Sequence, residues 1–168
     1  TKTLIRKMAI AGTKGLEHTL GGLEKEDITG NVSYDANNHE KMVGIRSSKI
    51  KQLANIIPEQ KIYGIPKGEL LVVGWGGTYG SLYSAVKNLI NKGEKIGLCH
   101  FNYINPLPNN TAKIFDQYKN IIVCELNSGQ FANYLRMSFQ GTIFNQYNKI
   151  QGQPFTVSEL EIYFKSIL

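Results

Sequence analysis

The stretch Gly74-Trp75-Gly76-Gly77-Thr78-Tyr79-Gly80 could do chemistry through its backbone. It follows an apolar run and opens a helical pattern, so its N–H groups could cradle an anion at a helix N-terminus. The spacing is GxGxxxG, one residue longer than the dinucleotide fingerprint, and no GKS or GKT follows to make a P-loop. The next apolar run ends in His100 and Asn102, where an acidic residue would be needed to hold a ribose. Glycines that make a tight turn and pack closely against a neighbour account for the loop with fewer demands. His18, His39 and His100 share no metal-ligand spacing, and no serine or cysteine stands in a nucleophile context. Cys99 and Cys124 sit inside apolar runs without CxxC spacing, which reads as two buried, reduced thiols rather than a zinc or iron–sulfur ligand set. Glu17 beside His18 and Glu125 at a strand end could serve acid–base work; a salt bridge or a bond to a backbone amide is the simpler role for each.

The elements that must position these residues fall into two stretches, residues 1–66 and 67–168. Residues 12–38 are rich in Gly, Asn, Asp and Thr and show no apolar period, which predicts an irregular segment or one folded against something else. Residues 39–57 read as an amphipathic helix capped by Asn38 and stopped by Pro58, with Val43, Ile50, Leu53, Ala54 and Ile57 on one face. From residue 67 onward, strands and helices alternate. Residues 69–75, 95–101 and 120–126 are short, apolar and β-branched enough for buried parallel strands, and a fourth strand is expected within 142–150. Helices are expected over 80–91, from Asn110 or Thr111 to near Tyr118, over 129–139 carrying Phe131, Leu135 and Met137, and after a Thr156/Glu159 capping box. This alternation predicts a doubly wound, mostly parallel α/β sheet of four to five strands with helices on both faces. Ligands or partners then approach the carboxyl edge of the strands.

Composition excludes several classes. The 168 residues are 42% hydrophobic, enough for one substantial core. The net charge of +6 is spread, with 11 Lys/Arg against 7 Asp/Glu up to residue 68 and 8 against 6 thereafter. No basic patch concentrates in sequence, so nucleic acid is not an expected partner. No apolar stretch approaches the ~20 residues of a membrane span, and no secretory h-region opens the chain, so a cytoplasmic protein without membrane contact is expected. The opening at Thr1, with no cap or turn to start a fold, reads as a piece of a longer chain.

The order of motifs GTKGLEHTLGG, YDANNHEKMVGIRSSKI, ELLVVGWGGTYG, NPLP, CELNSGQ and KIQGQPFTVSEL resembles the C-terminal region of the alpha subunit of 2-oxoacid:ferredoxin oxidoreductases of the 2-oxoglutarate type. The likeness runs over almost the whole chain. It implies a domain like the C-terminal domain of transketolase, within an enzyme that decarboxylates a 2-oxoacid, makes an acyl-CoA and reduces ferredoxin. Thiamine diphosphate, Mg2+, an iron–sulfur cluster and coenzyme A are the implied cofactors and co-substrate of the complete enzyme. The family's GDG…NN diphosphate motif is absent here. No catalytic residue carries over, no cofactor is expected on this chain, and the chain alone is expected to be inactive. The implied partners are the remainder of the alpha subunit, the beta subunit and, through the complete enzyme, ferredoxin. Lys7, Met8, Ala11 and Lys14 depart from the family's usual opening.

Carried over motif by motif, the resemblance makes the strand-end loops interface or anion-loop candidates. They are Gly76, Gly77 and Thr78 in the first loop, Asn105 and Pro106 in the second, Asn127 and Gln130 in the third, and Gln151, Gly152 and Gln153 in the fourth. Residues 12–38 are expected to wrap over a partner. A stand-alone nucleotide- or flavin-binding module using the 74–80 loop is the competing reading.

Overall fold

The computed structural model describes residues 2, 4, 5, 7–18 and 21–168. It divides into two compact units, Thr1–Ile56 and Ile57–Leu168.

Among its described residues the first unit contains one α-helix, α1, Ala36–Gln52, prolonged by a 3-10 turn at Leu53–Asn55. The helix starts earlier than the expected 39 because Asp35, not Asn38, is its cap: the Asp35 carboxylate accepts the Asn38 N–H at 2.8 Å. The Asn38 side chain works sideways instead. It accepts the Asp27 N–H at 3.2 Å and donates to the Lys25 carbonyl at 3.2 Å, fixing a loop closed by the Lys25–Val32 bridge. Within 12–35 the described residues form turns and this bridge, and 36–38 already belong to α1; Thr19 and Leu20 lie outside the described residues. Polar clips replace a core here. Glu24 meets His39 at 3.0 Å and Arg46 at 3.1 Å, and Asp27 meets Lys41 at 2.6 Å. Desolvation opposes ionisation of Glu24, but the Arg46 and His39 bonds outweigh it and hold the carboxyl below its ordinary value.

The second unit is a sheet with the order β1-β3-β2-β4-β5, built from β1 Tyr63–Gly64, β2 Gly68–Trp75, β3 Ile96–Phe101, β4 Tyr118–Glu125 and β5 Asn145–Asn148. β2 to β5 run parallel, and β1 pairs antiparallel with β3. Four helices connect and cover the sheet: α2 Tyr79–Asn91, α3 Thr111–Phe115, α4 Gln130–Ser138 and α5 Val157–Ile167. The doubly wound α/β class read from the sequence is the architecture found. β1 is an addition to it, a two-residue edge strand too short to carry a period.

Alternation along the strands separates two cores. Leu70, Val72, Ile122 and Cys124 pack with Leu82, Val86 and Leu89 of α2 and Leu160 and Phe164 of α5. Leu71, Val73, Ile121 and Val123 point the other way, onto Ile114 and Phe115 of α3 and Phe131 and Leu135 of α4. Strands buried on both faces must be apolar at every position, which is why β2 and β4 read as continuous runs. Met137 does not join this core, being 80% exposed. It lies two residues beyond Leu135 and so falls off the face that Phe131, Ala132 and Leu135 share. α5 carries the expected capping box: Thr156 Oγ1 accepts the Glu159 N–H, and Glu159 accepts the Thr156 N–H at 3.1 Å. The Lys149 ammonium, 2.8 Å away, does most to hold the Glu159 carboxyl below its ordinary value.

Candidate functional site

Parallel register brings the strand ends into one row. Trp75 pairs with Phe101, Val73 pairs with Val123, and Glu125 pairs with Asn148. The row therefore reads Phe101, Trp75, Glu125, Asn148, and every candidate loop leaves from it. Between β2 and β4 the chain turns in opposite directions, because α2 covers one face and α4 the other. This is the switch point where an open α/β sheet takes a ligand.

In this chain a carboxylate fills that position. Glu125 is fully buried, and its Oε1 accepts the Trp75 indole N–H at 3.1 Å, the Phe131 N–H at 2.9 Å and the Asn127 side-chain amide at 3.2 Å. Its Oε2 accepts the Ala132 N–H at 3.0 Å. Asn127 Oδ1 accepts the Gly129 and Gln130 N–H groups at 2.8 and 3.0 Å. The first-turn donors of α4, which an external phosphate would need, are thus taken by two side chains of the preceding strand and turn. Glu125 supplies the negative charge that the positive end of the helix favours. A buried carboxylate is tolerable only when its lone pairs are met, and four donors meet this one. The sequence ELNSGQF is a self-capping device.

The glycine loop has a structural explanation too. Gly76–Thr78 is a 3-10 turn leading into α2. A Cβ on Gly74 would overlap Leu82 Cδ1 and stand 2.8 Å from Thr78 Oγ1, so close packing favours glycine there. Thr78 is buried, and its hydroxyl donates to the Trp75 carbonyl at 2.8 Å. His100 Nε2 lies 3.4 Å from the same hydroxyl, and its ring packs edge-on to Tyr79 at 5.1 Å. Burial pulls the His100 pKa below its ordinary value, outweighing the carbonyls of Trp75 and Gly76 that favour the charged ring.

The remaining candidates sit on the same edge. Asn105 and Pro106 are joined by a cis peptide in the loop after β3, which Gln60 and Asn110 brace by exchanging backbone–amide bonds at 2.9 Å. Gln151, Gly152 and Gln153 are exposed beyond β5. Asn127 and Gln130 are tied to one another by the hydrogen bond from the Gln130 N–H to Asn127 Oδ1. Large side chains stand exposed on this edge: Tyr79, Tyr103, Leu126 and Ile150. Glu125 and Trp75 form the organised centre, and of the roles the sequence offered Glu125 the structure shows the bond to backbone amides, at Phe131 and Ala132. The readable signal was an acid ending an apolar strand five residues before a helix. The cysteines are buried in opposite cores, Cys99 against α3 and α4 and Cys124 against α2 and α5, and burial pushes both thiols up.

Fold and site together define a doubly wound α/β domain whose switch point is closed by its own carboxylate. Residues 68–160 match the sequence profile of pyruvate:ferredoxin oxidoreductase core domain II, and the chain belongs to that family. It is 35% identical, over 99% of its length, to the 2-oxoglutarate oxidoreductase subunit KorA of Mycobacterium tuberculosis, and 25% identical to the alpha subunit of a 2-oxoacid:ferredoxin oxidoreductase of Saccharolobus solfataricus. A solved structure of 2-oxoglutarate:ferredoxin oxidoreductase from Magnetococcus marinus, with 2-oxoglutarate, coenzyme A and succinyl-CoA bound, superposes at a TM-score of 0.88 with 26% identity. That match covers 99% of this chain and 29% of the other. The chain spans 25% and 27% of the two curated relatives. No helix among the described residues is long and apolar enough to cross a membrane.

Proposed function

We propose that this chain is the C-terminal assembly domain of the alpha subunit of a 2-oxoglutarate:ferredoxin oxidoreductase. In this reading the complete enzyme decarboxylates the 2-oxoacid oxidatively, forms its CoA thioester and passes electrons to ferredoxin. The carboxyl edge of the sheet, with Gly76, Gly77, Thr78, Asn105, Pro106, Asn127, Gln130, Gln151, Gly152 and Gln153 in its loops, serves as a contact edge toward the rest of the alpha subunit and the beta subunit. The observation that carries the reading is the likeness of 99% of this chain to part of the Magnetococcus marinus enzyme. The occupied switch point supports it, because a helix N-terminus saturated by Glu125 and Asn127 has its first-turn donors already committed.

The residues present do not fit the enzyme's cofactors. Among the described residues no three of His, Cys, Asp and Glu converge to hold a metal ion, and the two cysteines face opposite sides of the sheet. In this reading thiamine diphosphate, Mg2+ and the iron–sulfur cluster are held by other parts of the enzyme. The nucleotide-module reading finds no support in the family match.

The test uses the complete alpha subunit co-expressed with its beta subunit. Replacing exposed edge residues with charge, as in Tyr103→Asp with Leu126→Asp, should weaken subunit association about tenfold or more and lower 2-oxoglutarate-dependent ferredoxin reduction with it. Full assembly at the wild-type rate in that variant would refute the contact edge. Ferredoxin reduction that ignores 2-oxoglutarate and CoA would refute the activity.

A further inference from the structure

The first unit lacks a core. Among its described residues none is buried, and twelve large apolar side chains are exposed: 12 of the 20 such residues among those described fall in the first third of the chain. The half-buried positions of α1 are Asn38, Met42 and Ile45, spaced four and three apart on one face. A second stripe runs beside them, Val43, Ile50 and Leu53, spaced seven and three. These residues stand 46%, 39% and 38% exposed. Their spacing is that of a helix face meant for burial. Ion pairs at the surface contribute little, so the clips with Glu24 and Asp27 cannot by themselves hold such a segment in one conformation.

We propose that the Val43–Ile50–Leu53 stripe is a docking face for the portion of the same alpha-subunit polypeptide that lies outside these 168 residues. The proposal rests on the alpha-subunit reading above. Two observations select this occupant. The relatives are about four times as long as this chain, and the likeness to the Magnetococcus marinus enzyme includes the first unit, since it covers 99% of the chain. The segment therefore has its conformation in the context of a much longer polypeptide. A segment of the same chain is also held at high effective concentration, whereas a separate copy or subunit must be captured from solution.

The complete alpha and beta subunits, co-expressed, provide the test. A photoreactive phenylalanine analogue replaces Ile50, or Ser48 as a control on the opposite side of the helix. After irradiation, the cross-linked peptides are identified by mass spectrometry. Position 50 should join within the alpha subunit, to residues outside this chain, and Ser48 should give little such product. A second measurement is tryptic cleavage within α1 of the assembled enzyme. Val43→Asp with Ile50→Asp should speed it by roughly tenfold or more, because cleavage follows the population of the opened segment. Cross-links from position 50 to the beta subunit or to a second copy, an absence of protein cross-links, or unchanged cleavage would each overturn the proposal. Ferredoxin reduction with 2-oxoglutarate, measured on the unmodified preparation, fails only if the activity reading fails, so the two ideas fall separately.

Discussion

Glu125→Gln is the most discriminating single change in this domain. The substitution preserves size and replaces one acceptor oxygen with an NH2 donor. With the amide oxygen kept where three donors converge, from Trp75, Asn127 and Phe131, the new NH2 faces the Ala132 N–H across 3.0 Å. An unsatisfied buried donor costs about 1–3 kcal/mol. Losing the negative charge at the positive end of α4 adds about 0.3–1 kcal/mol. The sum is a destabilisation of roughly 1–4 kcal/mol, large for a change that removes no atom from the core. Glu125→Ala should cost more, because every donor then loses its acceptor, and formate should restore part of its stability where chloride at equal ionic strength does not. Urea unfolding followed by tryptophan emission measures this directly. Trp75 is the sole tryptophan, and its indole N–H is one of the Glu125 bonds. Far-ultraviolet circular dichroism on the same samples tests whether the transition remains two-state. A Glu125→Gln protein within about 0.5 kcal/mol of wild type, the level of an ordinary surface substitution, would refute the account of the switch point.

Gly74→Ala should destabilise the domain by about 1–3 kcal/mol, since the new methyl overlaps Leu82 and Thr78; thermal unfolding checks it, and Gly80→Ala, with open space around its site, serves as the contrast. Cys99 and Cys124 should resist iodoacetamide at pH 8 in the folded protein and react once urea unfolds it, as mass spectrometry would record, because burial raises both thiols. His100 should titrate below its ordinary value by NMR, because burial opposes the charged ring. Its folded value being depressed, the unfolded chain takes up the proton first. The associated stability is full above the unfolded value and is lost as the pH falls through the folded one. A His100 midpoint at or above the ordinary value would contradict the burial argument.

Strands buried on both faces were the most legible part of the fold, because Leu70–Val73 and Ile121–Cys124 leave no polar position for any other structure. The α5 start was equally plain in Thr156 and Glu159, whose reciprocal bonds are local. β1 was hidden, since two residues show no period and its pairing with β3 is a tertiary event. The start of α1 was misplaced because Asp35 and Asn38 are both competent caps, and only the fold of the 25–32 loop draws the Asn38 side chain away. The apolar stripe of α1 was legible in the spacing of Val43, Ile50 and Leu53. At the site, the edge loops could be located from the strand ends. The amide-binding role of Glu125 was legible, but its place at the switch point was not, since that depends on Trp75 arriving from a strand distant in sequence.

The sheet's flanks have a consequence for how molecules of this kind associate. One border is the two-residue β1, and the other is β5, a four-residue strand of sequence NQYN. Borders so brief and polar offer little backbone for another β-strand to zip against. Growth by ribbon extension is blocked at both sides, so concentrated solutions should resist fibre formation, and specific association is left to side chains at the ends of the strands.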